Sequence, residues 1–170
     1  MSENDRVISM PPVVGERPTI LVLGSMPGKA SLLKQQYYGH PRNHFWPLMF
    51  DLFEEAPTDV YTERIAIAKK HGIALWDVLA SCERAGSLDS QIKKEQPNDL
   101  VSFVEHHPSL RLIACNGGKA FQSFQRHAGQ VQTDRLTIAK LPSTSPTPGK
   151  NVKTYAEKKV DWQELLQFSR

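Results

Sequence analysis

A short apolar run, Thr19-Ile-Leu-Val-Leu23, is the feature that most restricts the fold of this chain. It contains β-branched residues and stops at Gly24, which is typical of a strand that is buried on both faces of a sheet. Three further runs follow the same pattern, at 73–79, 110–115 and 136–141. Because segments with apolar residues at helical spacing separate these runs, we predict a parallel sheet with helices on both faces.

The predicted helices are defined by the spacing of their apolar residues and by their end signals. They cover 42–54, 61–71, a segment that starts at 97, 116–127 and 154–168. Together with the four strands they give an α/β fold, a single-domain three-layer sandwich with a central, mostly parallel four-stranded sheet. The 170 residues are enough for one such domain and its core. Residues 1–17 are polar and contain prolines, so we expect a flexible arm before a domain at 18–170.

The composition excludes several classes of protein. Hydrophobic residues make up 39% of the chain and charged residues 23%, as in soluble globular proteins. No apolar run approaches the roughly 18 residues of a membrane span, and the N-terminus does not resemble a signal peptide. We therefore expect a cytoplasmic, nucleoid-associated protein of bacterial type. Cys82 and Cys115 are too few for a four-thiolate iron–sulfur cluster or a four-cysteine zinc site, so we expect buried free thiols, no metal and no cofactor.

The charge is distributed unevenly along the chain. Residues 1–110 contain 11 Lys and Arg against 14 Asp and Glu, whereas residues 111–170 contain 10 against 4. A basic C-terminal third suits a polyanionic partner such as nucleic acid, although a solvated surface can have the same composition.

Parallel sheets bind their ligands at the carboxyl ends of the strands. This rule selects four segments that we expect to face one cleft, namely Gly24–Gly28, Trp76–Asp77, Asn116–Gly118 and Pro142–Pro148. The glycines of the first segment let backbone amides approach a ligand closely. Its spacing is not that of a phosphate-binding P-loop, and Ser25 is not centred as a hydrolase nucleophile would be.

Two longer motifs are more specific. The first is Gln35-Gln-Tyr-Tyr-Gly-His-Pro-Arg-Asn-His-Phe-Trp46, and the second is Leu141-Pro-Ser-Thr-Ser-Pro146. Together with Gly24-Ser-Met-Pro-Gly28 they resemble the uracil-DNA glycosylase superfamily, and within it the hypoxanthine-DNA (deoxyinosine) glycosylase branch. Weaker matches, including Leu75–Leu79 and Gly86–Asp89, extend the resemblance over about residues 19–168. The resemblance implies the fold of that superfamily and a monofunctional glycosylase of base excision repair, which hydrolyses the N-glycosidic bond of a deaminated base, foremost hypoxanthine.

The resemblance also implies roles for residues of these motifs. Tyr38 matches the aromatic residue that covers the flipped base, and Asn43 matches the catalytic asparagine. An amide can hold a water molecule and bind a base, but Asn43 also suits the N-cap of the following helix. Met26 stands where other members carry an activating amide or carboxylate. His40 could contact the base or complete a turn, and Arg42 could contact phosphate or be simply exposed.

The remaining candidates lie at strand ends. Asp77 could accept a hydrogen bond from a purine N–H or cap the next turn, and Asn116–Gly118 could bind phosphate or pack tightly. We expect base contacts from Gly24, Ser25, Met26, Tyr38, His40, Trp76 and Asp77. We expect DNA contacts from Pro27, Gly28, Arg42, Asn116, Gly117, Ser143, Thr144, Ser145 and Lys150, with Lys153 and Lys158 close by.

Three alternative functions stay open on the sequence. They are a uracil- or mismatch-specific glycosylase of broader range, a catalytically silent module that binds damaged DNA, and a small-molecule hydrolase that uses Ser25 or Ser143. The matched motifs place no lysine for a Schiff base, so we expect no lyase step. The expected partner is double- or single-stranded DNA that contains a damaged base, and the expected state is a monomer.

Overall fold

The computed structural model describes residues 6–131, 134–149 and 151–170. Its strands and helices alternate through most of the chain. In chain order they are β1 (Arg6–Ile8), β2 (Ile20–Gly24), α1 (Lys29–Lys34), α2 (Phe45–Leu52), α3 (Tyr61–Lys70), β3 (Ile73–Asp77), β4 (Leu79–Glu83), β5 (Lys93–Pro97), α4 (Leu100–His106), β6 (Leu112–Asn116), α5 (Gly118–Ala128), β7 (Thr137–Leu141) and α6 (Tyr155–Trp162).

A parallel four-stranded sheet in the order β3-β2-β6-β7 forms the middle layer. All five residues of β2 are buried, which explains its uninterrupted apolar sequence. Ile20 and Val22 contribute to the core on one face, and Leu21 and Leu23 contribute to the core on the other. Helices α2, α3 and α6 pack on the first face, and α4 and α5 pack on the second. The predicted three-layer α/β fold is therefore confirmed.

The register of the sheet aligns the carboxyl ends of its strands. Gly24 of β2 pairs with Asp77 of β3, and Asn116 of β6 pairs with Leu141 of β7. The segments that follow these residues consequently leave the sheet at one edge. This alignment brings distant parts of the chain together around one cleft.

A second, antiparallel sheet in the order β1-β4-β5 lies beside the first and is absent from the sequence prediction. The predicted strand 73–79 in fact ends at Asp77, and after Val78 the chain enters β4. Strand β5 has the sequence Lys-Lys-Glu-Gln-Pro and is mostly exposed. It lacks the apolar alternation from which strands are recognised, so no pattern indicated it.

The N-terminal segment differs from the flexible arm predicted at 1–17. Strand β1 pairs with β4, and Val13 exchanges two backbone hydrogen bonds with Leu75 of 2.8 and 2.9 Å. Met10 is buried in the core. Over its described part, 6–17, this segment is therefore integrated into the fold, and the prediction of a loose arm is wrong there.

Both cysteines are buried free thiols, as the apolar runs around them predicted. Burial raises the pKa of both Cys82 and Cys115. Within the described parts of the chain, no group of three or more His, Cys, Asp or Glu side chains could hold a metal ion. The helices described there are all too short or too polar to cross a membrane.

Candidate active site

A cleft of about 1100 Å³ opens at the carboxyl edge of the parallel sheet. Segments from all four predicted strand ends contribute to it, together with the loop between α1 and α2. Most of the predicted site residues line this cleft, namely Gly24, Ser25, Met26, Pro27, Gly28, Tyr38, His40, Arg42, Asn43, Asp77, Asn116, Ser143, Thr144 and Ser145.

Asp77 is the most unusual ionisable group of the cleft. Its side chain is 4% exposed, and its Oδ2 has no hydrogen-bond partner among the residues that the structure describes. The pKa of Asp77 is raised to about 7, chiefly by burial; the charge of Arg84 opposes this shift, and the negative charge of Asp89 adds to it. The Asp77 side chain does not cap the next turn, which was the alternative role, since its oxygens accept no backbone N–H within the described structure. A buried carboxyl without a partner can form a hydrogen bond with a ligand that enters the cleft.

Gly24 makes room for this carboxyl group. A Cβ atom at position 24 would lie 2.4 Å from Asp77 Oδ1 and 3.7 Å from the Tyr38 hydroxyl. Only glycine therefore allows β2 and the Asp77 side chain to approach so closely at this edge. Ser25 follows and donates a hydrogen bond of 2.7 Å from its hydroxyl to Asp89 Oδ1. Met26 is almost fully buried and offers the cleft a thioether, which cannot polarise water.

Tyr38 lines the cleft with an aromatic ring. One face of the ring stacks on Phe45 with the centroids 4.2 Å apart and the planes at 27°. The backbone of Tyr38 has φ = 56°, a left-handed conformation that costs a bulky residue about 1 kcal/mol or more. Burial, followed by the charge of Asp77, raises the pKa of the Tyr38 hydroxyl, and the nearby Asn116 amide opposes this shift. Such strain at a cleft residue indicates that the ring position matters.

The neighbouring residues of this motif are structural. Tyr37 is buried, and its hydroxyl donates to the Pro11 carbonyl at 2.8 Å. The Trp46 indole donates to the Tyr37 carbonyl at 2.9 Å. Phe45 and Trp46 lie in the core of the first face, as their helical spacing predicted.

Asn43 lies two residues before α2, whose N-cap residue is His44. Its Oδ1 accepts a hydrogen bond of 2.8 Å from the backbone N–H of Phe45, which fixes the orientation of the amide. No protein partner is found for its Nδ2 within the described residues, and Asn43 lines the cleft. Asn43 is thus not the N-cap residue of α2, but its bond to the first N–H of the helix is compatible with a role in the site. The amide presents two N–H donors to the cleft and keeps a second lone pair on Oδ1.

His40 and Arg42 lie on the same side of the cleft as Asn43. His40 Nδ1 accepts the backbone N–H of Arg42 at 3.1 Å, so the turn role of His40 is realised. The other ring nitrogen stays available to the cleft, which His40 lines. Arg42 is exposed and can reach a phosphate without desolvation.

The loop after β7 is held in place by Asn116 and Thr144. The Asn116 amide donates to Thr144 Oγ1, and the Thr144 backbone N–H donates to Asn116 Oδ1, each at 2.9 Å. Thr144 is 1% exposed, so its predicted DNA contact is replaced by this clamp. Ser143 is exposed and Ser145 is half-buried, and both remain placed for DNA contacts. Lys150 lies outside the described residues.

Two predicted site residues do not line the cleft. The Trp76 ring points to the opposite face of β3 from Asp77 and packs on Phe103 of α4, with the centroids 5.1 Å apart. This correction follows from the alternation of side chains along a strand. Gly117 has φ = 98°, and a Cβ there would lie 3.0 Å from Ser143 Cβ. Gly117 thus serves tight packing, which was the alternative to phosphate binding.

Sequence reasoning gave no role to three polar residues that hold the segment Gly24–Gly28 and the start of α1 in place. Arg84 is 4% exposed and donates to the Pro27 carbonyl at 2.5 Å. Ser87 Oγ accepts the N–H of Lys29 at 2.9 Å. Asp89 accepts from Ser25, as described above. The motif Gly86–Asp89 was a signal for the last two residues, whereas Arg84 belongs to the antiparallel sheet that no pattern predicted.

Lys158 of α6 lines the opposite wall of the cleft and is 2% exposed. Helix α6 begins with a capping box in which Thr154 and Glu157 satisfy each other's backbone N–H groups. The Trp162 indole of the same helix donates to the Pro142 carbonyl at 2.9 Å, which fixes α6 against the loop after β7.

Comparison with known proteins agrees with this geometry. Residues 11–166 match the model of the uracil DNA glycosylase superfamily. A hypoxanthine DNA glycosylase from Methanosarcina barkeri is 40% identical over 160 residues, which cover 92% of this chain and 96% of the relative. A hypoxanthine DNA glycosylase from Methanosarcina acetivorans is 36% identical over 158 residues, with the same coverage of both chains.

A solved structure has the same fold. It is a solution NMR structure from Methanosarcina acetivorans, determined on a candidate uracil DNA glycosylase, and it superposes with a TM-score of 0.75. The two sequences are 35% identical, and the match covers 95% of this chain and 99% of the other. The chain belongs to the uracil-DNA glycosylase superfamily.

Proposed function

We propose that this protein is a DNA glycosylase that excises hypoxanthine by hydrolysis and leaves an abasic site. The observation that carries the proposal is the buried carboxyl group of Asp77, whose Oδ2 has no hydrogen-bond partner among the described residues, in the same cleft as Tyr38 and Asn43. The two Methanosarcina relatives named hypoxanthine DNA glycosylase support the same base. Because a base inside a duplex is inaccessible, the substrate must be flipped into this cleft.

Asp77 is suited to distinguish hypoxanthine from adenine. Hypoxanthine carries a hydrogen on N1, whereas adenine presents a lone pair there, so an ionised carboxylate accepts from the first and repels the second. Uracil also offers an N–H, but carbonyl groups flank it on both sides. In hypoxanthine one flank is a C–H, which leaves space for the second carboxylate oxygen without repulsion. The carboxyl group therefore favours hypoxanthine over both bases.

Tyr38 provides the stacking surface for the flipped base. Its ring is supported from behind by Phe45, and stacking is worth on the order of 1–3 kcal/mol per base. The ring lies close to Asp77, since the Tyr38 hydroxyl and the Asp77 carboxyl both approach Gly24. A base that stacks on Tyr38 can therefore present its edge to Asp77.

Asn43 is suited to stabilise the negative charge that develops on the leaving base. In the hydrolysis, water oxygen adds to the sugar C1′ and loses a proton, while the electron pair of the glycosidic bond leaves with the base, which is protonated. The amide N–H groups of Asn43 can bind the base as it becomes negative, and Oδ1 can hold the water. An amide is a poor general base, so stabilisation of the leaving base supplies most of the effect of this residue.

The first test is a panel of duplexes that carry a single inosine, uracil, xanthine or ethenoadenine, followed by alkali to cleave any abasic site. We expect strand breaks with inosine first. An absence of breaks with every lesion would exclude the glycosylase function and favour the silent DNA-binding module, and faster cleavage of uracil would favour the broader uracil or mismatch activity.

The second test replaces Asn43 by Ala. We expect excision to slow at least about tenfold, since a charge-stabilising hydrogen bond is lost. Asn151→Ala is the matched control, because Asn151 lies at the exposed rim of the same cleft. Equal rates for Asn43→Ala and the wild type would remove Asn43 from its role.

A further inference from the structure

Lys158 is a buried cation that has no ion-pair partner among the residues described by the structure. Its Nζ makes one hydrogen bond, of 3.2 Å, to Nδ1 of His44. Within the described residues no carboxylate oxygen lies within 4 Å of Nζ. At 2% exposure, water cannot solvate this ammonium fully. An unpaired buried charge is costly, so its retention in the cleft wall points to a partner that the free protein lacks.

The position of Lys158 identifies the kind of partner. Its helix contacts the loop after β7 through Trp162, and His44 donates its backbone N–H to the Thr144 carbonyl at 2.9 Å. Lys158 therefore lies where the Asn43 turn and the Ser143–Ser145 loop meet. Ser143 and Ser145 of that loop are placed for contacts with DNA, and a phosphate is the anion that DNA supplies to such a contact.

His44 is suited to hold the ammonium while the cleft is empty. Its Nδ1 accepts from Lys158, which requires a neutral ring with the hydrogen on Nε2. Burial, and then the charge of Lys158, lowers the pKa of His44 and keeps the ring neutral. The ring is packed edge-on against Tyr155, with the centroids 5.1 Å apart. A neutral acceptor holds the cation without neutralising it, so the full charge remains available to DNA.

We propose that Lys158 binds a backbone phosphate that flanks the flipped nucleotide, and that His44 positions its ammonium for this contact. The proposal rests on the DNA glycosylase function proposed above. It assigns Lys158 an ionic role in substrate binding and gives it no covalent step.

The experiment compares the wild type with Lys158→Met, using a duplex with a single tetrahydrofuran abasic analogue, which cannot be cleaved by a glycosylase. The dissociation constant is measured from about 50 to 300 mM KCl. We expect the slope of log affinity against log salt to fall by about 0.9, the value for one phosphate contact. We expect affinity at the lower salt to fall about tenfold, because a charged hydrogen bond is lost. Lys159→Met is the matched control, since Lys159 follows on the same helix but does not line the cleft.

Thermal unfolding of the free protein separates this role from a structural one. Methionine fills the space of the lysine stem without a charge, so Lys158→Met should unfold at the same or a higher temperature than the wild type. A large loss of thermal stability with an unchanged salt slope would overturn the proposal. Trapping by borohydride of a covalent adduct with abasic DNA that disappears in Lys158→Met would also overturn it, because Lys158 would then act as a nucleophile.

Failure of the glycosylase function and failure of the Lys158 phosphate contact give different results. If the wild type neither binds the duplex in a salt-dependent way nor excises a base, the glycosylase function itself is wrong, and the role of Lys158 falls with it. If the wild type excises inosine and binds the duplex, but Lys158→Met keeps the wild-type slope, only the phosphate contact is wrong.

Discussion

Replacement of Asp77 by Asn tests whether the buried carboxyl group both destabilises the fold and reads the base. Burial raises the pKa of Asp77 from 3.8 to about 7. At about 1.4 kcal/mol per pH unit, this difference corresponds to roughly 4 kcal/mol of folding free energy. Because the pKa is raised, the native state binds more protons than the unfolded state between these values. The stability that protonation of Asp77 contributes is therefore fully present below about pH 4 and is lost as the pH rises through about 7. Asparagine does not titrate, so Asp77→Asn should gain stability relative to the wild type as the pH rises, by up to roughly 4 kcal/mol.

The activity of the wild type should rise with pH, whereas its stability should fall. If the ionised form of Asp77 accepts N1–H of hypoxanthine, kcat/KM of the wild type should rise with pH and level off above about 7. Asp77→Asn should lack this inflection. Its amide offers a donor beside an acceptor, which removes the repulsion with uracil carbonyl groups, so the ratio of uracil to hypoxanthine excision should rise about tenfold.

The assay measures denaturant unfolding from about pH 4 to 8.5 and single-lesion excision from about pH 5.5 to 8.5. His40→Gln is the control, because it changes another side chain that lines the cleft and leaves the Asp77 carboxyl group in place. The reasoning is refuted if Asp77→Asn keeps the wild-type inflection, or if its stability relative to the wild type does not increase with pH.

Two further substitutions test the cleft around Asp77. Tyr38→Leu should weaken binding of an inosine duplex about tenfold or more. Tyr38→Phe should bind like the wild type, since the ring and not the hydroxyl provides the stacking. Equal losses of affinity in both variants would contradict a stacking role. Gly24→Ala should abolish most excision, because the added Cβ would lie 2.4 Å from Asp77 Oδ1 and must displace the carboxyl group. If Gly24→Ala instead has wild-type kinetics, excision does not depend on the position of the Asp77 carboxyl group.

The parallel sheet was predictable because its strands are buried on both faces. Runs such as 20–23 and 112–115 must be apolar throughout, and that requirement is visible in one sequence. The antiparallel sheet was not predictable, since its strands pair through backbone groups that carry no side-chain signal. Arg6–Ile8 is only three residues long, and Lys93–Pro97 is almost entirely polar.

The candidate site was predictable to the extent that strand ends and motifs determine it. Asp77, Tyr38 and Asn43 line the cleft because the register of the sheet aligns segments that the motifs identify. Trp76 was assigned to the cleft from its place in the chain, whereas its direction depends on where β3 ends. The isolation of Lys158 from carboxylates is a property of packing among segments over 100 residues apart, and no local pattern encodes it.

The single residue Val78 between β3 and β4 has a consequence for how this family can diversify. Val78 donates its N–H to the Gly24 carbonyl and accepts the N–H of Asn98, each at 2.8 Å, so this one residue is bonded to β2 and to the residue after β5. Because pairing with β2 fixes the directions of Trp76 and Asp77, an inserted or deleted residue here would have to shift β4 or break these two hydrogen bonds. Changes in base preference can therefore arise at this point by replacement of one side chain, but not by a change in chain length, and relatives should differ in length elsewhere.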